Sequence, residues 1–217
     1  MTTVGPSRAN RGRRPVRPSG DDREQAILAT ARRLLQERSF ADISVVDLAK
    51  GAGLSRPTFY FYFPSKEAVL LSLLDPLIQR ADSGLSDISA VPSDPRRAFR
   101  DGIHTFFSSF AADPVLARAG AEAISTNPEV RELWSGFMQK WIDQTAALIA
   151  AERHRGAAPD TMPAQDLATA LNQMNERAMI AAISDEQAAV APERLVETLT
   201  HIWMASIYGT PSHLAQR

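Results

Sequence analysis

The sequence predicts an all-α fold, a three-helix N-terminal head followed by a larger helical body. Three observations carry that expectation. Ser44, Ser55 and Ser65 each open a short run with helical spacing of apolar residues, where a side-chain oxygen can take up an orphan backbone N–H. Pro92/Pro95, Pro114, Pro128, Pro159/Pro163 and Pro192 divide the remainder into stretches of helical length. No segment alternates polar and apolar residues with β-branched enrichment, apart from an aromatic stretch at 59–63 that the flanking caps assign to a helix.

Residues 1–20 carry five arginines (Arg8, Arg11, Arg13, Arg14, Arg17), three prolines and three glycines, with few apolar side chains. Such a segment cannot bury enough surface to offset its ordering entropy, and it reads as a disordered tail. From Asp21 the pattern turns helical. Asp21, Asp22 and Glu24 suit the positive end of a helix dipole, and Ile27, Ala31, Leu34 and Leu35 recur on one face. Ser44 and Asp47 have the spacing of a capping box at the next helix, whose end Gly51 and Gly53 flank. Ser55 caps the one after, with Pro57 in its first turn, where a missing N–H does no harm. Ser65 follows Pro64 and caps a third short helix, with Glu67 in its first turn and Ala68, Leu70, Leu71 and Leu74 behind. The body then reads as helices over roughly 95–111, 115–125, 129–152, 164–184 and 193–208. The expected organisation is a tail over 1–20, a head over 21–67 and a body over 68–217.

Charge separates the same parts. The formal net charge is −1, but residues 1–66 hold 12 Lys/Arg against 6 Asp/Glu, and residues 67–217 hold 12 against 19. A +6 head on a −7 body suits a nucleic-acid-binding module joined to a part that does not touch nucleic acid. The chain has no cysteine, which excludes disulfides, thiolate metal sites and cysteine nucleophiles, and fits a reducing cytoplasm. No run of about 18 apolar residues could span a membrane, and no apolar segment follows the basic N-terminus as a secretory signal requires. His104, His154, His201 and His213 have no metal-ligand spacing, and no glycine-rich phosphate loop occurs. No catalytic residue, metal or cofactor is expected.

The capped pair at 44–63 reads as a helix-turn-helix, in which the second helix enters the major groove of DNA by its N-terminal residues. Ala49 is small where the helices cross, Gly53 allows the turn, and Leu54 fills the angle between them. Ser55, Arg56, Pro57 and Thr58 open the second helix toward solvent, while Phe59 and Phe63, one turn apart, face the core. Successive helical residues point about 100° apart, so five consecutive aromatics cannot all be buried. Tyr60 and Tyr62 are expected outward, with their hydroxyls on phosphates and their rings near thymine methyls.

The segment ISVVDLAKGAGLSRPTFYFYFPSKEAVL resembles the N-terminal domain of TetR-family regulators. That resemblance implies an all-α homodimer with a DNA-reading head and a C-terminal domain that senses a ligand. It places Ser44, Arg56, Pro57, Thr58, Tyr60, Tyr62 and Lys66 on operator DNA, with Ser55 beside them. Pro57 stands where glycine is common in the family, a change that the first turn of a helix accepts. Lys66, at a helix start that favours phosphate, has an independent reason to be there. The tail reads either as added phosphate and minor-groove contact or as a solvated arm.

In the body, Phe99, Ile103, Phe106, Phe107 and Phe110 form one stripe, and Trp134, Phe137, Met138, Trp141, Thr145, Leu148 and Ile149 another. Such stripes are core or the wall of a ligand cavity, and Asn172, Asn175 and Glu176, on one face of a later helix, suit the second reading. RPSGDDRE, FMQKWI, RGAAP, LATALNQMNER and HIW resemble one branch of the family, with a long apolar tunnel in its C-terminal domain. The resemblance implies a lining of Phe106, Phe110, Trp134, Met138, Trp141, Thr145, Asn172, Asn175 and Trp203. Ala121 and Ile124 stand where that branch has polar residues, and Phe99 where it has tryptophan. The implied protein is a repressor of a neighbouring monooxygenase-type gene, released from DNA by a small lipophilic effector. Residues 164–184 and 193–208 would join the homodimer, and more than one dimer per operator is compatible with the family. Ala164, Ala168, Ala178 and Ala181 allow close packing there. The stripe of Leu195, Leu199 and Ile202 reads equally as dimer contact or internal core.

Overall fold

The computed structural model describes residues 20–86 and 94–209. The expected disordered tail lies outside the described residues, apart from Gly20, which begins α1 (Gly20–Leu35). The other helices among the described residues are α2 (Val45–Gly51), α3 (Arg56–Tyr62), α4 (Lys66–Ser86), α5 (Pro95–Ala111), α6 (Pro114–Thr126), α7 (Pro128–His154), α8 (Ala164–Ile183) and α9 (Pro192–Tyr208). The all-α expectation is met.

Local chemistry explains most of the boundaries. Ser44 and Asp47 form the expected capping box at α2. Gly53 takes the left-handed conformation, φ 69°, that only glycine adopts without strain, and so the chain turns directly into α3. Gly51 lets α2 rest on α1, since a Cβ there would stand 2.4 Å from Thr30 Cγ2. Three body helices share one start signal, an acidic or amide cap followed by proline. The side chains of Asp94, Asp113 and Asn127 each accept from the backbone N–H three residues on, and Pro95, Pro114 and Pro128 come next.

One expectation needs correction. The helix after Ser65 is not short but 21 residues long, and it runs through Pro76. Proline there withholds the N–H that would bond the carbonyl four residues earlier. The helix persists because Val69, Leu70, Leu73, Leu74, Leu77, Ile78 and Ala81 form one buried stripe on both sides of that position. Burial of this order, about 1.5–3 kcal/mol for each large side chain, outweighs one proline.

That stripe joins head to body. A first apolar cluster runs from Ile27, Leu48 and Phe59 in the head through α4 and α6 to Trp134, Trp141 and Met179. A second, at the far end, gathers Phe99, Ile149, Leu171, Leu199 and Trp203 from α5, α7, α8 and α9. Beyond it, Tyr208 Oη donates to the buried Glu152 Oε2 at 2.7 Å and ties the end of α9 to α7. Arg155 beside it holds the Glu152 carboxyl below its usual range, while burial first, and then Glu152, push the Tyr208 phenol up.

Candidate functional site

The head presents α3 on a pair of tightly capped helices. Ser44 Oγ accepts from the Asp47 N–H at 3.2 Å and donates to Asp47 Oδ2 at 2.6 Å, and the same oxygen accepts the Ser44 N–H at 3.0 Å. These bonds, with Arg38 behind, hold the Asp47 carboxyl down at about 2. At α3, Ser55 Oγ accepts from the Thr58 N–H at 3.2 Å and lies 2.7 Å from Thr58 Oγ1. Arg56 Nη2 donates to Tyr60 Oη at 3.2 Å, and its guanidinium lies 5.6 Å from the centre of the Tyr60 ring. Ser44, Ser55, Arg56, Pro57 and Tyr60 are exposed, and Thr58 is half-buried. The start of α3 therefore offers a hydroxyl pair, a guanidinium and a phenol to a partner.

Two of the expected residues are placed otherwise. Tyr62 does not stand clear of the protein. It is half-buried and packed on the first apolar cluster. Beside the exposed Tyr60, the other outward ring is Phe61, 83% exposed, a residue without a hydroxyl to mark it in the sequence. Helix geometry had the answer, because at about 100° per residue position 61 lies opposite Phe59 and position 62 swings back toward the core. Lys66 is the other case. Its Nζ donates to the carbonyls of Phe40 at 2.9 Å, Ala41 at 3.2 Å and Ile43 at 2.9 Å, and sits 4.5 Å from the centre of the Phe40 ring. An ammonium has three donors, and all three are in use within the protein.

In the body, the residues expected to line one tunnel are divided between two chambers. The upper holds Phe106, Met138, Trp141, Thr145, Asn172, Asn175 and Trp203, with Phe99, Gly102, Ile103 and Leu148, around about 450 Å³ of empty space including its mouth. The lower holds Phe110 and Trp134 with side chains of α4, α6 and α8, around about 520 Å³ on the same measure. Both are narrow slots, with room for about one or two waters between their walls. Four rings stand between them in edge-to-face contact: Phe106–Trp141 at 5.4 Å, Phe106–Phe110 at 5.3 Å, Trp134–Trp141 at 5.8 Å and Phe110–Trp134 at 5.8 Å. Each such pair is favourable by about 0.5–1.5 kcal/mol beyond its burial, which is why the rings close on one another.

Each tryptophan that lines the two chambers has its N–H engaged by another helix. Trp141 Nε1 donates to Asp82 Oδ1 at 3.3 Å, Trp203 Nε1 to Asn175 Oδ1 at 3.1 Å, and Trp134 Nε1 to Glu176. Asn172 donates to Thr145 Oγ1 at 3.1 Å and to the Ala168 carbonyl at 2.9 Å. The three polar residues of α8 are thus split, with Asn172 and Asn175 on the upper chamber and Glu176 on the lower. Sequence spacing could not separate them, since all three share a helix face.

The α8–α9 stripe resolves mostly as internal core. Ala168, Ala181, Leu195 and Leu199 are buried within the protomer, Ala164 and Ala178 are half-buried, and Ile202, 37% exposed, is the most open of the expected contacts. Among the described residues no helix is long and apolar enough to cross a membrane, and no cluster of three or more His, Asp or Glu side chains is placed to hold a metal ion.

Residues 27–73 match the model described as bacterial regulatory proteins, tetR family, and residues 99–209 match that of the transcriptional regulator EthR, C-terminal domain. The chain is 68% identical over 211 residues to the HTH-type transcriptional regulator EthR of Mycolicibacterium smegmatis, covering 97% of each chain. It is 59% identical over 213 residues to EthR of Mycobacterium tuberculosis, covering 96% of this chain and 99% of that one. In fold it is similar to a crystal structure of a TetR-family transcriptional regulator from Syntrophomonas wolfei, with a TM-score of 0.71 at 17% identity. That match covers 90% of this chain and all of the other.

Proposed function

The chain belongs to the TetR family of bacterial regulators, its body being an EthR-type C-terminal domain, and on that premise we propose a repressor that a small lipophilic effector releases from its operator. The observation that carries the proposal is the start of α3, where Ser55, Arg56, Pro57, Tyr60 and Phe61 stand exposed on a rigidly capped helix. Arg56 and Tyr60 supply donors for phosphate or base edges, and Phe61 an apolar face for a thymine methyl or a sugar. Ser44 and Thr58 flank them at the two helix starts. Lys66 and Tyr62 act one step back, Lys66 through the loop that leads into α2 and Tyr62 through the packing of α3.

The effector is elongated and apolar, with one acceptor group. In the upper chamber Asn175 Oδ1 is engaged by Trp203, so the Asn175 amide N–H group is the donor for an ester or amide carbonyl. The slot is narrow, and binding therefore displaces rings of the wall between the chambers. Two heads on a dimer must sit about 34–36 Å apart to read successive major grooves. An effector lowers operator affinity only if it binds the protomer arrangement that breaks this spacing more tightly than the one that keeps it. The proposed homodimer joins the outward faces of α8 and α9 around Ile202, and several dimers can load on one operator. A neighbouring monooxygenase-type gene is the proposed target, and the cytoplasm the proposed location.

Footprinting of DNA upstream of the protein's own gene, with and without lipophilic amides and esters, tests this reading. A protected site that is lost when such a compound is added supports it. Absence of any protected site, or protection indifferent to every compound that raises the melting temperature, overturns it.

A further inference from the structure

The loop between α1 and α2 is held from two sides, and the two holders belong to different parts of the molecule. Lys66 takes its carbonyls. Glu122, on α6 of the body, takes its amides: Oε2 accepts from the Phe40 N–H at 3.1 Å and Oε1 from the Ala41 N–H at 2.9 Å. A carboxylate bound to two successive backbone amides is charge-assisted and directional, and it sets the tilt of the loop as well as its position. That loop runs directly into Ser44 and the capped α2–α3 pair.

α6 has two working faces. Val115, Arg118, Ala119 and Glu122 recur at helical spacing and line a cleft of about 670 Å³, open to solvent, that faces the α1–α2 loop and that Glu122 bridges. Ala117, Gly120, Ala121 and Ile124, offset by two residues and so about 200° around the helix, wall the lower chamber. Arg118 Nη1 also donates to the Ile183 carbonyl at 3.0 Å, which ties α6 to the end of α8. α6 is packed against α1, α4, α5, α7 and α8, and a helix held on several sides moves as a unit rather than deforming.

Resting on the reading of an effector-controlled repressor, we propose that Glu122 is the positioning residue that sets the pose of the reading head on the body. An occupant of the lower chamber that displaces α6 reaches the recognition helix through this carboxylate.

The chain has no native cysteine, so a spin-label pair can be placed without background. Lys50→Cys on the head and Glu132→Cys on α7, both at exposed positions, measure the pose within one chain when diluted into unlabelled protein. Glu122→Ala is expected to broaden the distance distribution roughly twofold or shift its centre, and Glu122→Gln, which keeps one accepting oxygen, to fall between. An unchanged distribution in folded Glu122→Ala overturns the proposal, even if the melting temperature falls.

Ala121→Trp, or Ala121→Phe should the tryptophan variant not fold, serves as a built-in occupant of the lower chamber. It is expected to shift the label distance and to weaken binding to the upstream DNA at least about tenfold in the native background. In the Glu122→Ala background the loss should be under about threefold and the further shift absent. Equal effects in both backgrounds overturn the coupling. If the native chain binds no upstream DNA, the repressor reading fails, while the label distances still decide the role of Glu122.

Discussion

At the scale of single residues, Tyr60 and Lys66 separate two ways of losing operator binding. Tyr60 is exposed and, among the described residues, hydrogen-bonded within α3 to Arg56, so Tyr60→Ala is expected to weaken operator binding in gel shifts with the melting temperature unchanged. Lys66→Ala leaves three carbonyls of the α1–α2 loop without their cation, at a cost of about 1.5–3 kcal/mol for charged hydrogen bonds at a half-buried site. It is expected to lower both affinity and melting temperature, and a folded Lys66→Ala variant that loses affinity alone would place the ammonium on DNA after all. Asp47 supplies a pH dependence. Its carboxyl is held at about 2 against an ordinary 3.8, so the stabilisation is complete above about pH 4 and disappears as pH falls toward 2. Denaturant unfolding at stepped pH should show that loss in the native chain, and Asp47→Asn should remove this contribution to it.

At the scale of elements, boundaries were legible and depth was not. Pro95, Pro114 and Pro128 announced the starts of α5, α6 and α7, and the caps at Asp94, Asp113 and Asn127, one residue before each, carry the same signal in the adjacent position. The length of α4 was hidden, since Pro76 is a local stop signal that only a shared core overrules. The stripes of α5 and α7 were visible too, but not that their rings meet edge-on and divide the body into two chambers. Phe106 touches both Phe110 and Trp141 in that wall. Phe106→Ala is therefore expected to cost about 3–5 kcal/mol in denaturant unfolding and to join the chambers. Lipophilic esters should then raise the melting temperature of the variant by more than that of the native chain. Equal shifts would mean that the wall does not restrict entry.

At the scale of the whole molecule, head and body share one apolar cluster through α4, and this makes effector control of the head physically reasonable. The proposed homodimer would rest on α8 and α9, where Leu195 and Leu199 are buried in the protomer's own core and Ile202 is 37% exposed. Ile202→Glu is expected to shift sedimentation from dimer to monomer and to abolish footprint protection while leaving helical content intact. A dimer that survives this change would place the interface on another surface.

The all-α class, the capped helix-turn-helix and the residue types of both the reading helix and the cavity wall are legible in the sequence. Those features depend on neighbours within about one helical turn, and such neighbours are written side by side. Only the packed structure settles that Lys66 faces the protein and that Glu122 grips Phe40 and Ala41 across 82 and 81 positions of chain, whereas the outward turn of Phe61 follows from helix arithmetic. A lysine or glutamate reads the same in sequence whether its partner is a phosphate, a carbonyl or an amide. Which partner it meets depends on where distant helices bring their backbone, and packing of the shared core settles that.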